Sequence, residues 1–268
     1  MQTIQLFEPG VTDRIQNPLD LLRRCGGYYK CPKDPGGKRL GPLVGYAGRY
    51  EAEKLQYVGD EYVNFAKAER HAPILKHLAG QLISDIWDRD LGPTLKVSAG
   101  FIGAPEGGKA LACALAQAAG RIDDEYMRQY IFPEKVITAV ATPNSREVSK
   151  LVFDRHEPEA GEFWWITEDV CNNFSTTAEL VALIESHGAH VAGILCFLNR
   201  SLDVEKEFSP RVGLTLPVIP LVRQRIMQYQ QDDVFVAADV AARNVVWKPK
   251  KREEWQKLAA AMEAARKG

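Results

Sequence analysis

Two hydrophobic periods alternate along this chain. Ile74, Leu75, Leu78, Leu82 and Ile86 recur at helical spacing, and Ala72-Pro73 ahead of them suits a first helical turn. Leu95 to Ile102 (LKVSAGFI) reads as a strand, and the glycine-rich turn Gly103–Gly108 (GAPEGG) follows it. Lys109 to Ala119 reads as a small-residue helix stopped by Gly120. Lys135 to Ala141 (KVITAVA) reads as a second strand, and Asn144 to Ala160 as a long charged loop or irregular helix. Next comes an apolar run, Phe163-Trp164-Trp165-Ile166, that ends in the carboxylates Glu168 and Asp169. A polar turn and the hydroxyls of Ser175, Thr176 and Thr177 lead into a helix around Leu180, Leu183 and Ile184, ended by Gly188. Val191 to Leu198 (VAGILCFL) is the following strand.

Strands alternating with helices predict an α/β fold, a doubly wound, mostly parallel sheet. Ligands of such sheets bind beyond the carboxyl ends of the strands. Gly103–Gly108, Glu168–Thr177 and Asn199-Arg200 all fall there. The flanks read less clearly. Cys31 to Tyr50 is dense in turn formers and predicts loop and short strands. LPVIPLV near Leu216 predicts an edge strand, because Pro217 and Pro220 fit poorly in a central one. Lys250 to Lys267 predicts an amphipathic helix with Trp255, Leu258 and Met262 on one face and a solvated basic face. With no repeat and no Gly/Ser/Pro linker, the chain reads as one domain: a hood over about 18–70, a core over about 71–200 and a C-terminal extension over about 201–268.

Composition narrows the function classes. The 268 residues are 46% hydrophobic and 26% charged, enough for a sizeable core. A formal net charge of −1 favours neither nucleic acid nor a membrane surface as a partner. MQTIQLFEPGVTDRI lacks a basic leader and an apolar core, so a cytoplasmic protein is expected. Five scattered cysteines suit reduced thiols, and Cys25 and Cys31, without a second pair or nearby histidines, do not make a zinc site. Cys171 is read as a small filler rather than a reactive thiol, no base lying near it in sequence.

The segment Phe163–Thr177 carries the chemistry. Free N–H groups and the dipole at a helix N-terminus favour a phosphate. Carboxylates beside it hold sugar hydroxyls or a hard cation such as Mg²⁺. Acids plus a phosphate cradle at one strand end indicate a sugar-phosphate site. The plainer alternatives are that Glu168 and Asp169 cap the following helix, that Ser175 and Thr176 are an ordinary cap, and that Gly107-Gly108 serve tight packing.

Several ordered pieces across roughly residues 18 to 200 resemble a type I phosphoribosyltransferase, and within that class the orotate phosphoribosyltransferases. They are Glu168 through Thr176 after the apolar strand, the turn Gly103-Ala104-Pro105-Glu106-Gly107-Gly108, Arg39-Leu40-Gly41-Pro42 with Ala47-Gly48, Arg146 and Lys150 four apart before the acidic strand, and Asn199-Arg200 after the next one. The resemblance implies transfer of a phosphoribosyl group from phosphoribosyl diphosphate to orotate, giving orotidine 5′-monophosphate and pyrophosphate. It implies Mg²⁺ as cofactor, small-molecule substrates and a homodimer. It also implies roles. Asp169 and Glu168 hold the ribose hydroxyls, directly or through Mg²⁺. Val170, Cys171, Asn172, Asn173, Phe174, Ser175 and Thr176 form the phosphate loop, and Glu106, Gly107 and Gly108 bind pyrophosphate. Arg146 and Lys150 are loop cations, with Arg155 and His156 as weaker candidates. Arg200 pairs with the orotate carboxylate, and Lys30 or Lys33 adds a second contact.

Some positions depart from that pattern. Phe174 stands where the family has a glycine, and its bulk and resistance to positive φ predict an altered loop. Asn172 and Asn173 replace threonines, Glu147 a lysine, Asn199 an aspartate, and Leu43-Val44-Gly45 replace aromatic residues at the base. These departures leave two alternatives open: a phosphoribosyltransferase for another nucleobase, or a non-catalytic descendant that binds a nucleotide or phosphoribosyl diphosphate.

Overall fold

A computed structural model describes residues 17–50, 55–120, 128–139 and 148–267. The first elements are α1 (Pro18–Arg24), β1 (Tyr28–Lys30), β2 (Leu43–Tyr50), β3 (Leu55–Gly59), β4 (Glu61–Val63) and α2 (Ala66–Glu69). Then come α3 (Ala72–Asp88), α4 (Gly92–Val97), β5 (Gly100–Gly103), α5 (Gly108–Ala119), β6 (Gln129–Ile131), β7 (Glu134–Ala139), β8 (Val148–Val152) and β9 (Phe163–Cys171). The last are α6 (Ser175–Ser186), β10 (His190–Asn199), β11 (Glu207–Arg211), β12 (Leu214–Arg223), α7 (Ala237–Ala241), β13 (Val245–Val246) and α8 (Arg252–Lys267). They divide into two compact units, one spanning Glu69–Gln224 and the other joining the segment through Ala68 to that from Arg225. The expected C-terminal extension is thus shared between the two.

The first unit holds a six-stranded sheet in the order β11-β12-β10-β9-β5-β6, parallel except for β11. β9 is buried on both faces because its apolar residues serve both. Trp164 and Ile166 pack with Leu180, Val181 and Ile184 of α6. Trp165 packs with Leu82 and Ile86 of α3 and Leu111 and Leu115 of α5. Strand alternation dictates the division, and covering both faces is what a parallel sheet requires.

Four expectations are corrected here. Leu95 to Val97 belongs to the helix α4, started by Pro93 in its first turn, so that only Gly100–Gly103 is strand. KVITAVA is not a strand of the main sheet. Its described residues lie in β7, which pairs antiparallel with β8 in a separate two-stranded ribbon. Val136 and Ile137 stay exposed, and Gln129–Ile131 takes the place beside β5. Residues 148–152 of the expected charged loop are the other ribbon strand, whereas Val140, Ala141 and residues 144–147 fall outside the described residues. β12 is interior rather than an edge, with β11 outside it. Its prolines fit because neither interrupts a needed ladder. Pairing to β10 begins at Val218, after Pro217. Val218 N–H donates to Lys206, so Pro220, of the same parity, turns its nitrogen toward the β11 side beyond where β11 pairs.

In the second unit, β13, β2 and β3 form a sheet and β1 pairs with β4. The amphipathic α8 buries Trp255 and Leu258 against Tyr29, Cys31, Val44 and Val246, with Met262 beside them, as its sequence pattern predicts. Arg39 links distant parts of the chain by reaching Asp60 at 3.4 Å and Asp239 at 3.1 Å. Among the described residues, no helix is long and apolar enough to cross a membrane.

Candidate active site

Strand order defines where the first unit can hold a ligand. After β5 the chain crosses by α5 to β6 on one side, and later places β9 on the other. α5 lies on the face of Trp165 and α6 on the face of Trp164. The carboxyl ends of β5 and β9 therefore flank a topological switch point, where the two following turns splay apart. The turn Gly103–Gly108 and the acids Glu168 and Asp169 meet there.

Backbone alternation sends the two acids to opposite faces. Glu168 lies beside Cys196 of β10 in register and is only 9% exposed. Asp169, half-buried, follows Trp165 and Thr167 toward α5. Its carboxylate accepts the Val170 N–H at 2.8 Å and lies so close to Gly107 that a Cβ there would overlap it. A Cβ at Gly107 would therefore have to displace the Asp169 carboxylate. A Cβ on Gly108 would likewise overlap the Thr167 carbonyl. Thr167 is fully buried, accepts the Ala104 N–H at 2.9 Å and donates its hydroxyl to the Gly108 carbonyl at 3.0 Å. The Pro105–Glu106 peptide between them is cis. Burial pushes the Glu69 carboxyl above its ordinary range, and the charges of Asp169 and Glu106 push it further. The carboxyls of Glu69, Glu106 and Asp169 thus lie within electrostatic reach of one another.

The loop after β9 resolves the expected conflict at Phe174. This residue does take the left-handed conformation, at φ 56° and ψ 17°. Its ring leaves the loop for the core, stacking on Phe208 at 4.8 Å and burying to 3% exposure. The loop keeps the turn a glycine would give, and the expected bulk is absent from it. Asn173 Oδ1 accepts the Ser175 N–H at 3.3 Å and the Ser175 hydroxyl at 3.0 Å. Asn172 and Thr176 are half-buried beside it. The first-turn N–H groups of α6, including that of Thr176, have no acceptor within their own helix.

Other sequence candidates are placed as follows. Cys171 is buried, and sharing a hydrogen bond with Cys196 away from water holds its thiol well above its ordinary range, which fits a filler. Arg200 is half-buried, and its backbone N–H donates to the Cys171 carbonyl at 2.9 Å. Asn199 organises the following loop, donating to the Val204 and Glu205 carbonyls at 2.9 and 3.2 Å and accepting the Ser201 N–H at 3.0 Å. Lys150 is exposed on the ribbon opposite Val136, and Arg155 and His156 are exposed beyond it. Arg146 and Glu147 lie outside the described residues. Lys30 and Lys33 belong to the second unit, where Lys30 meets Glu61 at 3.0 Å and Lys33 meets Asp60 at 2.7 Å.

Sequence reasoning missed Thr167 and Glu69. A lone hydroxyl in an otherwise apolar strand signalled the first; nothing local signalled the second, about 100 residues before Asp169. Among the described residues, no group of three or more His, Cys, Asp or Glu side chains is arranged to hold a metal. Mg²⁺ needs no such cage, since it is bound by one or two carboxylates plus substrate phosphate oxygens and water. The hard oxygens of Asp169 and Glu106 fit that donor chemistry.

No family model matches the chain, and no curated protein matches it. Solved structures do resemble it. An orotate phosphoribosyltransferase from Aeropyrum pernix is 18% identical, with a TM-score of 0.47 over 76% of this chain and 92% of its own. One from Francisella tularensis is 11% identical, with a TM-score of 0.44 over 92% and 97%. An adenine phosphoribosyltransferase from Saccharomyces cerevisiae is 17% identical, with a TM-score of 0.44 over 68% and 94%.

Proposed function

We propose that the chain is a phosphoribosyltransferase that joins a nucleobase nitrogen to C1 of phosphoribosyl diphosphate and expels pyrophosphate, with orotate as the base. The observation that carries this reading is the convergence, at one switch point, of the glycine-backed turn, Asp169 and the loop leading to α6. In this reaction positive charge builds on the ribose ring while negative charge builds on the leaving group. Asp169 and Glu168 hold the ribose hydroxyls near that developing positive charge. Backbone amides of the loop after Cys171, with Ser175 and Thr176, hold the 5′-phosphate. Gly107 and Gly108 let the turn's backbone approach the diphosphate. When bound, Mg²⁺ neutralises charge on the diphosphate. Lys150 and Arg146 supply further cations there, and Arg200 a planar fork for a base carboxylate. We also propose a homodimer.

One observation favours another base as the second reading. Leu43 and Val44 are fully buried, and Trp247 packs so close over Gly45 that a Cβ there would overlap its ring. Leu43, Val44 and Gly45 carry no aromatic side chain of their own. Pyrophosphate release from phosphoribosyl diphosphate and Mg²⁺, measured with orotate and then with other nucleobases, decides between the readings. Release with orotate alone is expected. Release only with a different base moves the activity to the second reading, and binding without turnover to any base defeats both. Asp169→Asn is expected to abolish turnover with the fold intact by circular dichroism. Unimpaired turnover in that variant would remove Asp169 from the site.

A further inference from the structure

Thr167 grips the turn at both ends. The carbonyl of Thr167 accepts the Ala104 N–H at 2.9 Å, where the turn leaves β5, and its hydroxyl donates to the Gly108 carbonyl at 3.0 Å, where the turn enters α5. Gly108 N–H closes the turn on the Ala104 carbonyl at 2.9 Å. The side chain is fully buried, so the hydroxyl has no water to bond instead. Asp169 stands two residues further along the same strand face, with Gly107 against its carboxylate. A threonine is also out of keeping with its surroundings. Trp164, Trp165 and Ile166 before it are apolar and fully or almost fully buried, and packing alone would be served by valine.

We infer that Thr167 is a positioning residue for the diphosphate end of the site: its hydroxyl fixes the Gly103–Gly108 turn to β9 so that the backbone at Gly107 stays in register with the Asp169 carboxylate. The residue acts through the turn and touches no substrate. Valine keeps its volume but removes the donor, leaving the Gly108 carbonyl with only its helical partner in α5 and the end of the turn no longer tied to β9. The α6 end of the site is held by different contacts, those of Asn173 and Phe174, and does not depend on this hydroxyl.

This inference rests on the proposed phosphoribosyltransferase reading, and its test separates the two. Calorimetric titration of the wild-type protein, Thr167→Val and Thr167→Ser with inorganic pyrophosphate plus Mg²⁺, and separately with ribose 5-phosphate, reads the two ends of the site. Thr167→Val is expected to weaken pyrophosphate binding about tenfold, the scale of one lost buried hydrogen bond, with ribose 5-phosphate affinity within about twofold of wild type. Thr167→Ser, which keeps the hydroxyl, is expected to bind pyrophosphate as wild type does. In turnover, Thr167→Val is expected to raise KM for phosphoribosyl diphosphate with KM for the base unchanged. Thr167→Ala serves the same comparison should the valine variant not fold. Wild-type pyrophosphate affinity in Thr167→Val, or equal weakening of both ligands, overturns the positioning role while leaving the site reading intact. If the wild-type protein binds neither ligand, the site reading fails and the inference fails with it.

Discussion

Phe174 sets two local preferences against each other, and the outcome follows from their sizes. The left-handed conformation costs a residue with a Cβ about 1–2 kcal/mol. Burying the ring returns about 1.5–3 kcal/mol, and stacking on Phe208 adds about 0.5–1.5 kcal/mol. Burial wins, so the phenylalanine holds the turn that a glycine would otherwise supply. Phe174→Gly relaxes the backbone but leaves a void beside Phe208. It is expected to lower stability by about 2–4 kcal/mol, read as a lower urea midpoint. An equal or raised midpoint would show that the ring contributes nothing to the core. From sequence, the positive φ was the recognisable difficulty at this residue. The ring's destination was not, because Phe208 is 34 residues away and on another strand.

At the scale of elements, local pattern predicted the helices well and the strands unevenly. α3, α5, α6 and α8 follow from helical spacing and their end signals, which depend on residues a turn or two apart. The pattern of β9 was equally clear, since an unbroken apolar run marks a strand covered on both sides. β7 and β12 were harder because an apolar stretch does not state its partner. Val136 and Ile137 look like core and lie exposed on a ribbon. The prolines of β12 look like edge residues and lie inside the sheet. The glycines of the turn after β5 are legible in the sequence, while the approach of Gly107 to Asp169 depends on the neighbouring strand. Gly107→Ala places a methyl group into the Asp169 carboxylate. It is expected to weaken binding of pyrophosphate with Mg²⁺ by at least about tenfold by calorimetry, with a far-ultraviolet circular dichroism spectrum like that of wild type. Undiminished affinity would place the diphosphate elsewhere.

Across the whole chain, ion pairs as well as apolar burial assemble units from distant segments. Arg39, with a side chain only 13% exposed, holds Asp60 and Asp239 at once. Burial pushes the Asp60 carboxyl up, but hydrogen bonds and charges from Lys33 and Arg39 outweigh it and leave the group below its ordinary range. A carboxylate depressed by folding adds stability above its unfolded pKa and loses it as pH falls through the folded value. Arg39→Ala is therefore expected to destabilise the protein by about 3 kcal/mol at neutral pH. Its deficit against wild type should shrink as pH drops below the ordinary aspartate range, near about 4. A deficit constant with pH, in paired thermal melts, would mean that packing rather than charge makes the link. The sequence by itself determined the order of elements, the burial of β9, the acids at its end and the helix start behind them. Each of these is written in residues close together in the chain, whose spacing fixes the period and the cap. Tertiary structure alone decided that β5 and β9 are neighbours at a switch point, that Glu168 and Asp169 diverge onto faces already claimed by different helices, that Thr167 ties down the turn, and that Phe174 leaves the loop. Those features depend on which distant strand lies alongside and which cavity is open to a side chain, and no local pattern carries that information.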